Sequence, residues 1–464
     1  MSVSDLNESS ISDLFEEHMK NPNILMIGTT VATGFEWEAI DECREKLQKH
    51  LRVVKGRGKV YFNIDWDQFA KVQEMRSIDN IYIVADTARY SFGQSKESKK
   101  ADLELFVDSV NKSTNLSKGL DAWKRATNFK GKLYPTIEEY NVAKEQALAA
   151  KTEVSEIDNE KKEEEEPKSE SKEKDAPDAR KKKKRGQDPS ESKEDDILKY
   201  RVTCERTGEH SFESNDVAKV VGGELQEKYH WIVDLCTYHL EIVCKLMQNF
   251  MLTHLRVTHE SKHRRNIENF GPTTLRSTIC YNLLRLAHPK PGDLIVDPMC
   301  GGGSIPIEAA LAYPQSHVLC GDNHPKAVNR AQSNASVVGC EVGLVQWNAS
   351  KLPFKDSFVD IIVTDMPFGK RSGTKSDNRV LYKQFLLELG RVVKLSSGRI
   401  VLLTYDRNSF KQALQTAGDL FWVKKTVGAN IGGLQAVVYV LSRTHVSHHD
   451  FKPRVVKQYN RPKA

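Results

Sequence analysis

The sequence predicts an α/β protein in which an N-terminal α+β unit precedes a C-terminal doubly wound parallel sheet. From residue 291 onward apolar strand segments alternate with helical segments, which is typical of a parallel sheet covered by helices on both faces. Upstream, short elements follow in the order β-α-β-β-α-β, which is typical of a ferredoxin-like unit. A third observation is a tract of nearly pure charge, which separates two parts of the N-terminal unit.

The bulk composition bounds the class of protein. A chain of 464 residues with 39% hydrophobic residues has room for two or three domains. The net charge of +6 is only weak support for a nucleic-acid partner. None of the eight cysteines forms a C-x-x-C pair, which argues against a structural zinc site and a disulfide framework and for a reducing compartment. With no signal peptide and no apolar run of ~20 residues, the sequence predicts a cytoplasmic protein.

The N-terminal region begins with a polar, acidic segment, residues 1–20, which we expect to be a frayed leader. Residues 20–95 are predicted to form the ferredoxin-like domain. Its helix at 36–50 has apolar residues on one face, and a hairpin is predicted around Gly56-Arg57-Gly58.

Two further regions, residues 96–150 and 197–265, are predicted to form one domain around a disordered charged insertion at 151–196. The insertion has almost no apolar residue and cannot offset the entropy of ordering. Its Arg180–Arg185 run permits a nuclear signal, and hence a nuclear pool, or a phosphate-attracting arm, although a solvated linker is the simpler reading. Arg264 and Arg265 follow the last strand and suit phosphate groups, with a plain exposed loop as the alternative.

The C-terminal half is predicted to start with a linker helix within residues 266–290. Residues 291–445 then form the parallel sheet, which ends in an antiparallel hairpin because only a Gly-Gly turn separates its last two strands. Residues 446–464 are a polar, basic tail.

A glycine-rich turn after the first strand of this domain predicts the ligand class. The turn reads D-P-M-C-G-G-G-S and lacks the G-x-G-x-x-G fingerprint of dinucleotide sites. Asp322 ends the second strand, where a carboxylate can bind the hydroxyls of a ribose. The sequence therefore predicts a site for a nucleoside with a charged tail.

The tetrad Asp365-Met366-Pro367-Phe368 follows an apolar strand. It is similar to the Asp/Asn-Pro-Pro-Tyr/Phe motif of methyltransferases that act on exocyclic or amide nitrogens. An exocyclic amine is a poor nucleophile, and acceptors at Asp365 and the Met366 carbonyl would orient its lone pair. Pro367 would fix the turn, and Phe368 would stack on the base. Alone, such a tetrad is most simply an ordinary turn after a strand. The glycine turn and Asp322 in the same domain favour a catalytic role instead.

The sequence resembles the THUMP-domain-containing tRNA guanine-N2-methyltransferases over nearly its whole length outside the charged tract. The motifs that carry the resemblance are GTTVATGFE, GRGKVYF, RVTCER, HRRNIENFGPTTLRST, DPMCGGGSIPIEAA, GDNHPKAVNRA, VTDMPFGKR and ANIGGLQAVVYVL. The resemblance implies a ferredoxin-like plus THUMP unit that binds the tRNA acceptor arm and 3′ end. It also implies a Rossmann-like seven-stranded S-adenosylmethionine methyltransferase domain, an acceptor-stem guanosine at the sixth nucleotide as substrate, and a small zinc-binding activator subunit as partner.

The resemblance also implies roles for individual residues. We expect no metal ligand, because the sulfonium of the cofactor is already an activated leaving group. The residues expected to bind the cofactor are Asp297, Met299, Cys300, Gly301 and Gly303 at its methionine end, Asp322 and Asn323 at the ribose, and Asn348 and Ala349 at the adenine edge. The expected phosphate contacts are Arg264, Arg265, Lys370 and Arg371.

Two departures from the family pattern leave alternatives open. Gly302 stands where relatives often have Thr or Ser, and Asn348 stands where Asp is common. One alternative is therefore a tRNA-binding protein with an inactive methyltransferase domain. Independently of these departures, a second alternative is a methyltransferase that acts on a different nitrogen, of DNA adenine or protein glutamine.

Overall fold

The computed structural model describes residues 2–47, 51–93, 95–113, 115–147, 186–271, 274–367 and 375–453. These residues form one sheet of nine strands and one of seven. The nine-stranded sheet belongs to the N-terminal unit, defined here as the described residues up to His263, and the seven-stranded sheet to the C-terminal domain that follows. None of the described helices has the length and apolar character that a membrane span needs.

The N-terminal unit alternates strands and helices along the chain. Its strands are β1 (Ser2–Asp5), β2 (Ile24–Thr30), β3 (Arg52–Gly56), β4 (Lys59–Asp65), β5 (Asn80–Arg89), β6 (Lys199–Thr207), β7 (Ile232–Val233), β8 (Leu240–Met247) and β9 (Phe250–Arg256). Its helices are α1 (Glu8–Lys20), α2 (Glu36–Lys46), α3 (Phe69–Gln73), α4 (Lys99–Lys112), α5 (Leu116–Thr127), α6 (residues 137–147) and α7 (Ser214–Tyr229).

The strand order of this sheet is β1-β3-β4-β2-β5-β9-β8-β6-β7. The β3-β4-β2-β5 block is antiparallel throughout, in the order expected of the predicted ferredoxin-like unit. Strand β5 also pairs with β9, from Tyr82 opposite Arg256 to Arg89 opposite Phe250. The two predicted N-terminal domains therefore share one continuous sheet.

The expectation of a frayed leader at residues 1–20 is wrong for its described part. Strand β1 pairs with β3, and the Asn7 side chain caps α1 by accepting from the Ser10 N–H at 2.8 Å. Ile11, Leu14 and Phe15 are buried in a core cluster on the sheet. Their i, i+3, i+4 spacing forms an apolar stripe, which the polar average of the segment conceals.

The prediction of a disordered insertion at 151–196 is wrong for its described part, residues 186–196. Residues 148–185, including the Arg180–Arg185 run, lie outside the described residues, whereas residues 186–196 have defined contacts. The Gly186 N–H donates to the Cys236 carbonyl at 3.0 Å. Ser192 is buried and its Oγ accepts from the Lys130 N–H at 2.8 Å. Backbone hydrogen bonds of this kind do not require apolar side chains. The polar composition of residues 186–196 therefore did not reveal that they are ordered.

The C-terminal domain has the predicted parallel sheet and closing hairpin. Its strands are β10 (Leu294–Asp297), β11 (His317–Asp322), β12 (Gly343–Gln346), β13 (Ile361–Asp365), β14 (Arg399–Thr404), β15 (Phe421–Ile431) and β16 (Leu434–Arg443), in the order β12-β11-β10-β13-β14-β16-β15. Its helices are α8 (Ser277–Ala287), α9 (Ser304–Ala312), α10 (Pro325–Val338), α11 (Lys375–Val392) and α12 (Arg407–Ala417). Only β16 and β15 run antiparallel to their neighbours, and positive φ angles at Gly432 and Gly433 form the turn between them.

The predicted linker helix, α8, is part of the core. Every residue of α8 is buried, and the helix contacts α9, β13 and β14 on one side and α2 of the N-terminal unit on the other. Its apolar residues belong to a cluster that includes residues of both sheets. The segment therefore joins the two parts by packing rather than by a flexible connection.

Buried polar contacts also connect the two parts. Glu308, on α9, is fully buried and accepts from Arg76 Nε, Arg265 Nη2 and Asn266 Nδ2, each at 2.7 Å. We call these four residues the Glu308 node. Arg265 and Asn266 lie just beyond the N-terminal unit, so the contact of the node that crosses between the two parts is that of Arg76. Because α9 begins directly after the glycine turn, this contact attaches the N-terminal unit to the helix that carries the turn.

Candidate active site

Three carboxylates meet at one edge of the seven-stranded sheet. Strands β11, β10 and β13 are neighbours and parallel, so their last residues, Asp322, Asp297 and Asp365, lie at the same edge. Ligands of open α/β sheets bind at the carboxyl ends of strands, next to the order reversal that β10 and β13 form here. The structure thus brings together the three acids that the sequence singled out.

The glycine turn between β10 and α9 is held against the end of β11. The Cys300 N–H donates to the Gly321 carbonyl at 3.0 Å, and the Gly301 N–H donates to Asp322 Oδ2 at 3.1 Å. Gly301 has a positive φ of 54° and faces open space where a side chain would begin. The turn therefore presents bare backbone to a ligand.

Gly303 requires its conformation for a different reason. Its φ is +85°, and a Cβ there would lie 3.1 Å from the Cβ of Ala331 on α10. We expect Gly303→Ala to lower the free energy of unfolding by about 1–2 kcal/mol because of the left-handed backbone, and to weaken cofactor binding measured by calorimetry. Gly302→Ala is the matched control, since a Cβ at Gly302 meets its nearest atom at 3.4 Å without a positive φ. Equal effects of the two changes would contradict this assignment.

Asp297 is fixed by two hydrogen bonds to one oxygen. Thr364 Oγ1 donates to Asp297 Oδ1 at 2.6 Å, and the Met299 N–H donates to the same atom at 3.1 Å. Burial raises the pKa of Asp297 to about 7 in spite of these bonds, and the Asp322 carboxylate adds to the rise.

Asp365 lies beside Asp297 at the tip of β13. Burial, and then the Asp297 carboxylate, raise the pKa of Asp365 to about 8. Its Oδ1 is buried and has no hydrogen-bond partner among the residues that the structure describes. A buried acceptor without a donor is costly, so this atom is suited to accept a hydrogen bond from a ligand.

These shifts predict a rise of activity with pH. A carboxyl group with a raised pKa holds its proton below that pKa, and only the ionised form accepts an N–H without donating one. We expect kcat/KM for the cofactor to increase from about pH 6 to about pH 9, with apparent pKa values that belong to the Asp297–Asp365 pair. Initial rates across this range test the prediction, and a flat profile would contradict it.

The rest of the predicted catalytic tetrad is described only in part. The Met366 N–H donates to the Leu403 carbonyl at 2.9 Å, which extends the pairing of β13 with β14. The Met366 side chain is buried, and the Pro367 carbonyl accepts from the Tyr382 hydroxyl. Phe368, Lys370 and Arg371 lie outside the described residues.

The predicted nucleoside contacts lie along the ends of β11 and β12. Asp322 Oδ1 accepts from the His324 N–H at 2.9 Å, Asn323 is exposed beside it, and Met299 is half-buried. Asn348 Oδ1 already accepts from the Ser350 N–H and Oγ, at 2.9 and 2.8 Å. Ser350 thus uses both lone pairs of this oxygen, which leaves none to accept from an adenine amino group.

The structure gives Arg265 a role other than the predicted phosphate contact. Besides Glu308, its guanidinium donates to the carbonyls of Lys262 and Arg76 at 3.0 and 2.8 Å. These bonds use its donors inside the interface. Arg264, in contrast, has a side chain that is 51% exposed, and its ion-pair partner within the described part of the chain is Glu260, at 3.8 Å.

Several residues that support the site were not predicted. Thr364 fixes Asp297, Trp347 Nε1 donates to the Pro298 carbonyl at 3.0 Å, and Asn334 Nδ2 donates to the Gly302 carbonyl at 2.9 Å. The threonine within an otherwise apolar strand was the one signal in the sequence, because a buried hydroxyl requires a partner.

The acidic side chains and the glycine turn fit a nucleoside that carries a positive charge. Asp322 and the ionised forms of Asp297 and Asp365 attract positive charge, and the bare turn at Gly301 permits close approach. The same carboxylates would repel a pyrophosphate, which agrees with the missing dinucleotide fingerprint.

Comparisons with known proteins agree with this geometry. The family model described as RMKL-like, methyltransferase domain matches residues 264–436. The tRNA (guanine(6)-N(2))-methyltransferase THUMP3 of Bos taurus is 39% identical over 460 residues, which cover 92% of this chain and 89% of that protein.

Solved structures share the fold. The crystal structure of TrmN from Thermus thermophilus has a TM-score of 0.64 at 20% identity and covers 90% of this chain and 99% of its own. That of SMU.472 complexed with SAH has a TM-score of 0.60 at 15% identity and covers 94% and 100%. The C-terminal domain has the fold of the S-adenosylmethionine-dependent methyltransferases. The sheet, the site and the similarity over 92% of the chain together lead to one conclusion: the chain belongs to the THUMP3 family of tRNA (guanine(6)-N(2))-methyltransferases.

Proposed function

We propose that this protein transfers a methyl group from S-adenosylmethionine to the exocyclic N2 of a guanosine in the tRNA acceptor stem, at the sixth nucleotide. The observation that carries the proposal is Asp365 Oδ1, a buried acceptor without a described partner beside the glycine turn. Membership of the THUMP3 family supports the choice of N2 and of position six.

The chain supplies position and charge for this reaction. The bound cofactor supplies a methyl group already activated by a sulfonium. Asp365 accepts one N–H of the guanine amine and the Met366 carbonyl the other, which directs the lone pair at the methyl carbon. As the new bond forms, the amine proton becomes acidic and Asp365 accepts it. Pro367 holds the turn, and Phe368 stacks on the base.

We assign the cofactor to the residues along the three strand ends. The methionine end lies at Asp297, Met299, Cys300, Gly301 and Gly303, the ribose at Asp322 and Asn323, and the adenine edge at Asn348 and Ala349. Because Ser350 uses the Asn348 oxygen, the Asn348 amide nitrogen would donate to the adenine ring.

The two departures from the family pattern do not favour an inactive protein. The backbone at Gly302 is not left-handed, and a Cβ there would make ordinary contacts, so the turn has the same shape with either residue. The Asn348 amide nitrogen has no hydrogen-bond partner among the residues that the structure describes, so it can donate to the adenine. Methylation of DNA adenine or protein glutamine would use the same acceptors but has no use for an RNA-binding unit.

The partners in this proposal are the tRNA acceptor arm and 3′ end and a small zinc-binding activator subunit, which forms a heterodimer with the chain. The N-terminal unit binds the RNA, and Arg264, Lys370 and Arg371 contact its phosphates. The exposed Arg264 guanidinium supports this role. We place the enzyme in the cytoplasm, with a nuclear pool if the Arg180–Arg185 run is a nuclear signal.

One reaction tests the proposal. The full chain, with and without the activator, is incubated with labelled methyl donor and with tRNA that carries or lacks a guanosine at position six. Nucleoside mass spectrometry should detect N2-methylguanosine only with that guanosine. Tight tRNA binding without donor binding would favour the inactive alternative, and methylated adenine or glutamine in parallel reactions would favour a different nitrogen.

A further inference from the structure

Tyr382, on α11, connects the turn after β13 to the end of β14 through buried hydroxyl groups. Its side chain is fully buried, and its hydroxyl donates to the Pro367 carbonyl. The same hydroxyl lies 3.2 Å from Thr404 Oγ1. Thr404 Oγ1 in turn accepts from the Asp406 N–H at 3.1 Å.

The direction of this chain of hydrogen bonds follows from its two ends. The Asp406 N–H can only donate and the Pro367 carbonyl can only accept. Thr404 must therefore give its proton to the Tyr382 oxygen, and Tyr382 must give its own to Pro367. Burial raises the pKa of Tyr382 to about 12, so the phenol keeps this proton at neutral pH. A chain in which each hydroxyl both donates and accepts is strengthened by mutual polarisation.

This series of hydrogen bonds is important for the turn because Pro367 has no N–H, so that its carbonyl is its one backbone hydrogen-bonding group. The turn is attached to β14 at two successive points, first by the Met366 N–H on Leu403 and then by Pro367 through Tyr382 on Thr404. Two attachments fix both the position and the tilt of the peptide planes between Asp365 and Pro367.

We propose that Tyr382 is a positioning residue, which orients the Met366 carbonyl and the Asp365 carboxylate toward the acceptor amine by holding the Pro367 carbonyl. The inference rests on the proposed function, because it concerns the same turn. Loss of the hydroxyl would let the turn tilt, and a displacement of ~1 Å can slow a reaction by ~10²-fold.

The test compares Tyr382→Phe in the full chain with the wild type. We expect single-turnover methyl transfer at saturating cofactor and RNA to fall by at least about tenfold, with the dissociation constant of the cofactor unchanged within about twofold. Tyr200→Phe is the matched control, since the Tyr200 hydroxyl is also buried and donates to a backbone carbonyl, that of Gly222, at 2.5 Å in the N-terminal unit. This control should lose similar stability and keep the wild-type rate.

If Tyr382→Phe does not fold, a second pair of variants tests the same series of hydrogen bonds. Thr404→Val removes the donor to Tyr382 and should slow transfer, whereas Thr404→Ser keeps a hydroxyl and should restore it. Equal rates for Tyr382→Phe and Tyr200→Phe, or for Thr404→Ser and Thr404→Val, would overturn the inference. Failure of the proposed function is distinguishable, since it shows as a wild-type product other than N2-methylguanosine. The ratio of variant to wild-type rates is then measured on that other acceptor.

Discussion

Replacing Asp365 with alanine is expected to reduce the single-turnover rate of methyl transfer by roughly 10²–10⁴-fold, the usual contribution of a positioned proton acceptor. The buried Oδ1 has no described partner of its own, so the change removes an interaction made with the acceptor amine rather than one that holds the fold. Asp365→Asn, which keeps the shape but cannot take a proton, should be nearly as slow. The dissociation constant of the cofactor should stay within a few-fold of the wild-type value.

The control for this experiment lies at the other end of the same strand. Asp360 directly precedes β13 and pairs with Lys394 at 2.6 Å, remote from the glycine turn. Asp360→Asn should lose some stability and keep the transfer rate. A rate for Asp365→Asn within about tenfold of the wild type would show that the carboxylate is not the acceptor.

Loss of the buried Glu308 carboxylate should lower the free energy of unfolding more than loss of an exposed charge. The side chain is fully buried, whereas the side chains of Arg76 and Arg265 retain 27% and 18% exposure. Removing one partner of a buried ion pair leaves uncompensated charge, at a cost of about 3–5 kcal/mol. Because the two arginines keep some water, we expect Glu308→Ala to lower the free energy of unfolding by about 3 kcal/mol.

Urea unfolding of the full chain measures this effect. Asp108→Asn breaks an exposed pair with Lys112, whose side chains are 66% and 78% accessible, and should cost less than about 1 kcal/mol. Glu308→Ala should also weaken cofactor binding, because Glu308 lies on the helix that begins at the glycine turn. Similar stabilities for the two variants would exclude the Glu308 node as a main tie between the two parts.

The three acids of the site could be predicted because the rules that place them are local. Apolar runs mark buried strands, and parallel strands in one sheet put their last residues at one edge. Asp297, Asp322 and Asp365 each end such a run. Gly301 and Gly303 follow from the need for bare backbone after the first of these strands.

The partners of polar side chains could not be predicted in this way. Arg265 looked like a phosphate ligand because Glu308, its partner, is 43 residues away. The contact between Tyr382 and Pro367 likewise requires α11 to pack under the turn, which no periodicity shows. Asn348 was assigned by position, but its neighbour Ser350 takes its oxygen.

The folding of the N-terminal unit from two separated stretches of chain has a practical consequence. Lys132 forms a bridge with Ile197, its N–H donates to the Asp196 carbonyl at 2.8 Å, and β5 pairs with β9 across the same gap in sequence. The stretches on either side of residues 148–185 are thus joined by backbone hydrogen bonds into one folded unit. A protease that cleaves the polypeptide between residues 148 and 185 would produce two fragments that remain associated without a covalent bond.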